Sequence, residues 1–527
     1  MQSSWATNPF SRLTFSFLIV LTAGSVLGVG VVSVPLVAQT PVLTWHYDNL
    51  RTGANTTETV LTPANVSYKT FGKLSTKPVD GIVVGQPLYV PNVNVAGKGV
   101  HNVVYVATMH DSVYAFDADD ANNTPVWWTS IFTYSPPGAT TMLATLKKDA
   151  GTTAWTELGI VSTPVIDLVS GTLYLVAETY ENSKVVHRLH ALDISSGFEK
   201  LGGPTTISAT YTLNGVTTTF KDLYQMNRPG LLLANGQIFT AWGSNSNNAP
   251  SQGWVMSYDA STLQPTGAVT VEPGKFLASI WQKGAGIGAD SIGNVYAVTG
   301  EGPYVAPTNL PESIVKFNSV NGLQLADFFS PYNYSVLGKN DMDMTGLLLL
   351  PPQPGPFPEE MIAIGKEGTI YLVNRNQMGT ICQTCLGSDA QIVQEIPQGA
   401  GLEGGNPSYW NNTVYFTGIH IPVQAYTLQN GMLVVPSAKT TQQMAGGGHS
   451  FITSNGTSNG LLWIMNGVNL YALDAVTLKI RYNTTQAPNH RDATGPLAHF
   501  PEPIAADGKI FIGTKNSLVT YGLLPQP

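Results

Sequence analysis

The sequence has few charged residues and few cysteines, and both shortages exclude classes of protein. Only 11% of the 527 residues are charged, the net charge is -8, and no cluster or stripe of Lys and Arg occurs. Because nucleic-acid binding requires a basic footprint, we expect no nucleic-acid partner. The two cysteines are Cys382 and Cys385, and Leu386 stands where haem attachment would need His. In an oxidising compartment, this pair is expected to form a local disulfide.

The first 40 residues contain almost no charge. Arg12 is the one charged residue before an apolar run from Leu13 to Val37. Such a run is typical of an export signal, and the small residue Ala38 suits cleavage. The run also reaches the roughly 20 residues that span a bilayer, so an uncleaved anchor stays open. In both cases we expect the rest of the chain to be extracytoplasmic, secreted or periplasmic, with membrane contact only through this segment if it is uncleaved.

Glycine, proline and strand-forming residues are abundant. The chain contains 53 Gly and 35 Pro, and its apolar segments are rich in Val, Thr and Tyr. These residues favour turns and pleated strands over helices. The composition therefore predicts an all-β protein.

A degenerate repeat of a strand, a tight turn and a second strand runs to the end of the chain. Its first copy reads NVVYVATMHDSVYAFDADD, residues 102–120. Further copies start at Gly171, Gln237, Asn294, Thr369, Thr413, Leu461 and Lys509. A repeated unit of this kind indicates one repeat architecture rather than several unrelated domains.

Each repeat supplies two of the four antiparallel strands of a propeller blade. An inner strand before each copy and an outer strand after it predict an eight-bladed β-propeller. The last copy lacks an outer strand, and the segment from Phe71 supplies one, so the two ends should close the ring. The chain then divides into a signal or anchor (residues 1–40), an N-terminal arm (41–70) expected on the surface, and the propeller (71–527).

Several repeats end in an aspartate followed by a small or turn-forming residue. These aspartates are Asp117, Asp193, Asp259 and Asp474. A carboxylate at a strand end can accept hydrogen bonds from the N–H groups of the next turn. We therefore predict a structural and not a catalytic role for them.

The repeats resemble the pyrroloquinoline-quinone (PQQ)-like propeller repeat, which occurs in quinoprotein alcohol dehydrogenases and in non-enzymatic envelope scaffolds. The resemblance covers roughly residues 71–524 and implies a fold rather than a chemistry. In that family the outer strand often carries a Trp that docks on the next blade, and Trp127 or Trp128 fits this position. The adjacent Cys-Cys pair and the CxxCH motif of dehydrogenases are absent.

Strand order places the loops that lead into the inner strands, and the turns within each repeated pair, on one face of the ring, here called the top face. Polar residues at these places should surround the mouth of the central channel. The candidate ligand-binding residues are Gln86, Arg228, Glu301, Lys366, Glu403, Asn406, His449 and Glu502. His449 is also the candidate base for any catalysis. Asp341 and Asp343, two positions apart, are candidate ligands for a hard cation.

These features favour a binding scaffold for a small polar ligand or an envelope protein, because the repeat scaffold is intact and no position matches a dehydrogenase motif. The alternative is a PQQ- and Ca²⁺-dependent oxidoreductase acting on an alcohol or sugar. In that case Arg228 and Lys366 would serve the carboxylates of the quinone, and Glu403, Glu502 or the Asp341 and Asp343 pair would serve the metal. A hydrolase or lyase also stays open.

Overall fold

The computed structural model describes residues 40–143, 155–244, 250–385, 387–443, 447–499 and 501–525. The predicted signal or anchor, apart from Thr40, lies outside these ranges. Within them, the helices are the α-helix Tyr334–Lys339 and the 3-10 turns Ile131–Tyr134, Asp222–Tyr224, Gln282–Gly284 and Pro488–His490. No helix in this part of the chain is long and apolar enough to cross a bilayer.

The strands form eight antiparallel blades, numbered here in chain order, and each strand range is given from the channel outwards. Blade 1 contains Leu88–Val95, Gly99–Ala107, Ser112–Asp117 and Trp127–Ser130. Blade 2 contains Val165–Asp167, Thr172–Glu181, Lys184–Asp193 and Thr205–Thr206. Blade 3 contains Leu232–Ala234, Gln237–Ser244, Trp254–Asp259 and Pro265–Thr270. Blade 4 contains Gly288–Ala289, Asn294–Val298, Ile314–Asn318 and Gln324–Phe329.

The second half of the ring follows the same plan. Blade 5 contains Met344–Leu349, Glu360–Gly365, Ile370–Asn374 and Gln394–Ile396. Blade 6 contains Ser408–Trp410, Thr413–Phe416, Pro422–Gln429 and Ala438–Gln443. Blade 7 contains Ser450–Asn455, Ser458–Asn466, Asn469–Asp474 and Ile480–Asn483. Blade 8 contains Ile504–Ala506, Lys509–Gly513, Ser517–Leu523 and, as its outer strand, Phe71–Pro78.

The structure also contains short strands outside the four main strands of each blade. They are the single strands Thr140–Leu143, Glu157–Leu158, Gln225–Met226, Met432–Leu433 and Ala54–Asn55, and the hairpin of Thr210–Leu213 with Val216–Thr219. The first two extend the sheet of blade 2, and Gln225–Met226 pairs with the second strand of blade 3.

The two ends of the propeller complete blade 8 together. The outer strand pairs antiparallel with the last strand of the chain, with Phe71 opposite Leu523 and Pro78 opposite Ser517. This confirms the predicted eight-bladed, all-β fold and its closure. Because the closing strand comes from the other end of the chain, the third strand of blade 8 is not left as an unpaired edge.

Aromatic side chains and aspartates hold the blades in the predicted way. The indole N–H of Trp127 donates to the Ile194 carbonyl of blade 2 (2.9 Å), which identifies Trp127 as the docking Trp; Trp128 is half exposed. The turn aspartates accept backbone N–H bonds, as in Ser195 N to Asp193 Oδ1 (2.9 Å) and Ser261 N to Asp259 Oδ1 (2.9 Å). Their predicted structural role is confirmed.

The first part of the N-terminal arm, residues 42–55, does not lie on the surface, and for these residues the expectation is wrong. Val42, Trp45 and Arg51 are fully buried inside the ring. Residues 42–55, here called the hub, fill the central channel, and residues 56–70 then cross to the outer strand of blade 8.

The hub makes a hydrogen bond to the innermost strand of every blade. From blade 1 to blade 8 the pairs are Val42 N to Tyr89 O, Ile166 N to Leu43 O, Asn49 Nδ2 to Leu233 O, Ala289 N to Asn49 O, Leu349 N to Leu50 O, Tyr409 N to Thr52 O, Ile452 N to Gly53 O and Asn55 Nδ2 to Ala505 O, at 2.7–3.2 Å. An innermost strand is a sheet edge with unpaired backbone groups, and buried backbone groups need partners. The hub supplies partners on all eight edges.

Candidate functional site

The structure brings the predicted site residues together in two groups at the top face. Gln86, Arg228, Asn406, His449 and Glu502 surround the hub. Glu301, Asp341, Asp343 and Lys366 lie together where blade 4 meets blade 5. Glu403 lies between the groups, and its backbone N–H donates to the Lys366 carbonyl.

The side chain of Gln86 fastens the hub. Its Oε1 accepts the backbone N–H of His46 at 3.0 Å, and its Nε2 donates to the Thr44 carbonyl at 3.1 Å. Gln86 is buried. The oxygen and the nitrogen of the side-chain amide are therefore both hydrogen-bonded to the backbone of the hub.

Two rings of the hub stack at the axis of the propeller. The ring centroids of Trp45 and His46 are 3.9 Å apart with an angle of 8° between the planes. The Trp45 indole N–H donates to Glu502 Oε2, and the ring of His449 meets Trp45 edge-on at 5.5 Å. Burial raises the pKa of Glu502 to about 8, so this carboxyl is mostly protonated at neutral pH.

His449 has no lone pair left for base catalysis. Its Nδ1 accepts the backbone N–H of Asn406 at 2.8 Å, so the proton of the neutral ring is on Nε2. Nε2 faces the Lys283 carbonyl and Glu502 Oε1, each at 3.3 Å. Burial lowers the pKa of His449 to about 3, which keeps the ring neutral. This geometry supports a structural role and argues against a general base.

Arg228 lies between two indole rings. Its guanidinium carbon is 5.5 Å from the ring centroid of Trp155 and 5.5 Å from that of Trp281. Burial lowers the pKa of Arg228 to about 10, and the nearby Glu502 opposes this shift. The side chain remains a cation at neutral pH and is held by cation–π contacts.

Arg51 is the central cation of the hub. Its Nε and Nη2 donate to the Ile287 carbonyl at 2.8 and 2.6 Å. Its Nη1 donates to Thr44 Oγ1, the Trp45 carbonyl and the Asp48 carbonyl at 2.8–3.1 Å. Burial lowers its pKa to about 10, so it stays charged at neutral pH. Nη1 thus folds residues 44–51 into a compact turn, and Nε and Nη2 attach this turn to Ile287, next to the innermost strand of blade 4.

Lys283 joins the hub group to the wall of a cavity on the top face. Its Nζ lies 2.7 Å from Glu403 Oε2 and also donates to the Glu403 carbonyl. The two residues line a cavity of about 500 Å³ together with Ile419, Gly447, Gly448, Met465, Gly467, Val468, Leu497, Ala498, His499 and Pro501. The cavity is mostly apolar apart from this ion pair and His499.

Glu301, Asp341 and Asp343 form a compact group of carboxylates. One oxygen from each lies within 4.8 Å of the others. Lys366 Nζ contacts Asp341 Oδ1 at 2.8 Å and Asp343 Oδ2 at 2.7 Å, and Glu301 N donates to Asp343 Oδ1 at 3.0 Å. Gly300 lets Asp343 approach this closely, since a Cβ there would lie 2.6 Å from its Oδ1. The two predicted metal ligands and two predicted ligand-binding residues therefore share one site.

Glu312 lies near these three carboxylates, outside the set whose oxygens are within 4.8 Å of one another, and the sequence reasoning missed it. It is 1% exposed, and among the described residues neither Oε1 nor Oε2 has a hydrogen-bond partner. Burial, followed by the charges of Asp343 and Glu301, raises its pKa to about 10. We call Glu301, Glu312, Asp341 and Asp343 the acidic cluster.

The acidic cluster holds protons that a cation could replace. Burial and then the hydrogen bond with Asp343 raise the pKa of Glu301. Burial alone would raise the pKa of Asp343, but the bond from Glu301 and the charge of Lys366 hold it below its usual range. Lys366 thus pairs with the two aspartates, whereas Glu301 and Glu312, with pKa values of about 9 and about 10, are mostly neutral at pH 7.

Comparison with solved structures identifies the fold. No protein-family model matches the chain, and no curated relative does. The quinohemoprotein alcohol dehydrogenase of Comamonas testosteroni matches with a TM-score of 0.60 and 14% identity over 92% of this chain and 81% of that one. A europium-containing methanol dehydrogenase matches with a TM-score of 0.60 and 11% identity over 91% and 98%. The quinohemoprotein alcohol dehydrogenase ADHIIG of Pseudomonas putida HK5 matches with a TM-score of 0.59 and 12% identity over 92% and 82%.

The chain has the propeller fold of the quinoprotein dehydrogenases. At identities of 11–14% this likeness covers the fold and not the chemistry. The PQQ-like repeat thus correctly predicted the architecture.

The residues present fit a divalent cation but not the quinone of that fold. The acidic cluster offers carboxylate oxygens, which Ca²⁺ prefers. PQQ carries three carboxylates and would need free cations. Arg228 lies beside Glu502, Lys283 contacts Glu403, and Lys366 contacts two aspartates. An excess of carboxyl groups over cations disfavours a tricarboxylate.

Sequence reasoning missed the hub residues Trp45, His46 and Arg51, as well as Lys283. One signal was available: TWHYDNLRTG, residues 44–53, concentrates aromatic and charged residues in a chain that has few charges. Surface arms rarely need buried-type aromatics next to ionic groups. For Lys283 and Glu312 no local pattern distinguishes them from other loop residues.

Proposed function

We propose that this chain is an extracytoplasmic, non-enzymatic binding propeller that holds a divalent cation, with Ca²⁺ as the best match, in the acidic cluster. The cation would then present an open coordination position to a small polar ligand or to an acidic group of an envelope protein. The apolar N-terminal run and the Cys382–Cys385 disulfide support the location.

One observation carries the proposal: the buried carboxyl group of Glu312 has no hydrogen-bond partner among the described residues, although Asp343 and Glu301 lie close enough to raise its pKa. A buried polar group without a partner is costly, and a bound ion is one of the ways in which such a group is satisfied. Asp341 is the exposed member, so a bound cation would remain accessible from the top face.

Calcium titration of the chelator-treated protein tests the proposal. We expect saturable heat of binding by calorimetry, with a dissociation constant in the roughly 10⁻⁶ to 10⁻³ M range of protein calcium sites. At 100 times that constant, Ca²⁺ should add roughly 2.7 kcal/mol to the free energy of unfolding. Asp343→Asn and Glu312→Gln should each weaken binding at least about tenfold.

Glu360→Gln is the matched control. Glu360 is also buried, also has a carboxylate oxygen without a partner among the described residues, and lies at the opposite end of blade 5. Its variant should bind Ca²⁺ like the unaltered chain. Equal affinities for Glu312→Gln and Glu360→Gln, or no heat at all up to about 10 mM Ca²⁺, would rule out the proposed site.

A PQQ- and Ca²⁺-dependent oxidoreductase remains the second candidate, because the solved structures with this fold include alcohol and methanol dehydrogenases. Arg228, Lys283 and Lys366 all lie beside carboxyl groups of the chain, and this favours the binding role over the oxidoreductase. Reduction of an artificial electron acceptor in the presence of PQQ, Ca²⁺ and an alcohol or sugar would reverse this order. We expect no such reduction.

A further inference from the structure

The exposed apolar side chains of the propeller are not spread evenly. The bottom face consists of the turns between the first and second strands and between the third and fourth strands of each blade. Among the described residues, seven large apolar side chains are at least 63% exposed, from Val320 at 63% to Val169 at 99%. They are Val100, Val169, Phe198, Ile292, Val320, Val435 and Val476.

Every one of the seven lies in a bottom turn. Val100, Val169 and Ile292 lie at first-to-second turns, in blades 1, 2 and 4. The other four lie at third-to-fourth turns, in blades 2, 4, 6 and 7, and these are Phe198, Val320, Val435 and Val476. We call these seven residues the apolar rim.

Single exposed apolar residues are ordinary on protein surfaces. It is unusual, however, that the seven most exposed ones all lie on one face. The top face has its own exposed apolar residues, such as Val336 at 57% and Val468 at 53%, and all are less exposed than any member of the rim. The folding of the ring gives no reason for this difference, because the rim side chains contact water and not the core.

The chain leaves the described fold on the same face. Thr57 donates a hydrogen bond to Thr40 and pairs with Asn455, the last residue of the innermost strand of blade 7, which ends at the bottom. The apolar, charge-free run of the sequence ends at Val37, three positions before Thr40. The described part of the chain therefore begins on the face that carries the apolar rim.

We propose that the bottom face is a membrane-contacting surface, in which the apolar rim enters the interfacial region of a lipid bilayer while the top face points away from it. Amphipathic helices that lie on a membrane bury their apolar side chains roughly 5–10 Å into the boundary between headgroups and acyl chains, and we expect a similar depth for the rim. Contact with the membrane thus extends beyond the N-terminal segment to at least five blades. The cation site of the top face would remain open to the aqueous side.

Fluorescent labels on the full-length chain test this orientation. The two native cysteines form a disulfide and no free cysteine remains, so Val169→Cys and Val435→Cys each give one labelling site on the rim. Val336→Cys and Val468→Cys give matched sites on the top face. All four positions are exposed valines, so the substitutions should not disturb folding.

The labelled chains are bound to phosphatidylcholine vesicles and to the same vesicles with brominated acyl chains. We expect the brominated lipid to reduce the emission of the rim labels about twofold and to leave the top labels unchanged. The triple variant Val169→Asp, Ile292→Asp, Val435→Asp, labelled at Val320→Cys, should lose the quenching.

Three results would overturn the proposal. The first is equal quenching of rim and top labels on vesicles that carry the protein. The second is failure of the full-length chain to float with the vesicles. The third is a shift in the emission of the rim labels that occurs without lipid and grows with protein concentration. That result would assign the rim to contact with a second copy of the chain.

Discussion

The hub at the centre of the ring and the acidic cluster at the junction of blades 4 and 5 both bury ionisable groups, but these groups have opposite surroundings. In the hub, the Arg51 guanidinium makes five hydrogen bonds to oxygens of the chain. In the acidic cluster, both carboxylate oxygens of Glu312 lack a partner among the described residues. A buried polar group with hydrogen-bond partners is compatible with a stable fold, whereas a buried polar group without partners costs free energy. The comparison separates a structural centre from a candidate binding centre.

The same contrast explains why most predicted mouth residues are not free to bind a ligand. Gln86, His449 and Glu502 lie close to the axis, but their hydrogen-bonding groups are already in use, those of Gln86 and Glu502 by the hub and Nδ1 of His449 by the Asn406 backbone. The acidic cluster lies away from the axis, where the hub does not reach. An internal segment of the chain thus occupies the channel, and the binding chemistry is displaced to the junction of blades 4 and 5.

Loss of the Arg51 guanidinium should have the largest effect on stability. Arg51→Met leaves the Ile287 carbonyl and the hub carbonyls without donors, and we expect a loss of about 3–5 kcal/mol in the free energy of unfolding. Denaturant unfolding followed by tryptophan fluorescence measures it. Arg481→Met is the control, because Arg481 is 32% exposed in its pair with Asp474 and should cost less than about 1 kcal/mol. Similar losses in the two variants would show that the hub is not a structural centre.

Replacing Glu312 with a residue that does not titrate should raise the free energy of unfolding, whereas the Arg51 substitution lowers it. An unfolded glutamate ionises near pH 4.5, whereas the folded pKa is about 10, so the folded chain binds a proton that the unfolded chain does not. Stability is therefore lost as the pH rises from 4.5 towards 10. Without Ca²⁺, Glu312→Gln should gain about 3 kcal/mol at pH 7 and nothing at pH 4. A variant that is destabilised at pH 7 would mean that Glu312 has a partner in solution.

Calcium binding should release protons from the acidic cluster. Glu301 and Glu312 have raised pKa values, and a cation requires their ionised forms. Each released proton should strengthen binding about tenfold, or about 1.4 kcal/mol, per unit of pH between 6 and 8. Calorimetry in two buffers with different ionisation enthalpies counts the protons directly. Binding that is independent of pH and buffer would show that the cation contacts only Asp341 and Asp343.

The periodicity of the sequence was enough to predict the ring of blades, but it did not predict the hub at the centre of the ring. The repeat revealed the blades, and the unpaired segment from Phe71 revealed the closure, because both follow from strand pattern. The hub has no period, and its bonds join backbone groups, which carry no signature in the sequence. Asp341 and Asp343 were found because their alternate spacing is local. Glu312 joins them only when blade 4 packs against blade 5, so no local pattern could identify it.

The smallest effect is expected at the exposed edge of the acidic cluster. The Asp341 side chain is 63% exposed in its pair with Lys366, whereas that of Asp343 is 5% exposed. Asp341→Asn should therefore change the free energy of unfolding by less than about 1 kcal/mol, and less still in 1 M NaCl, because solvent and salt screen the pair. It should weaken Ca²⁺ binding only about threefold, against at least tenfold for Asp343→Asn, since water can replace an exposed ligand. Calorimetry on the two variants measures the ratio. A larger loss in Asp341→Asn than in Asp343→Asn would move the cation to the surface and leave the buried carboxylates outside its shell.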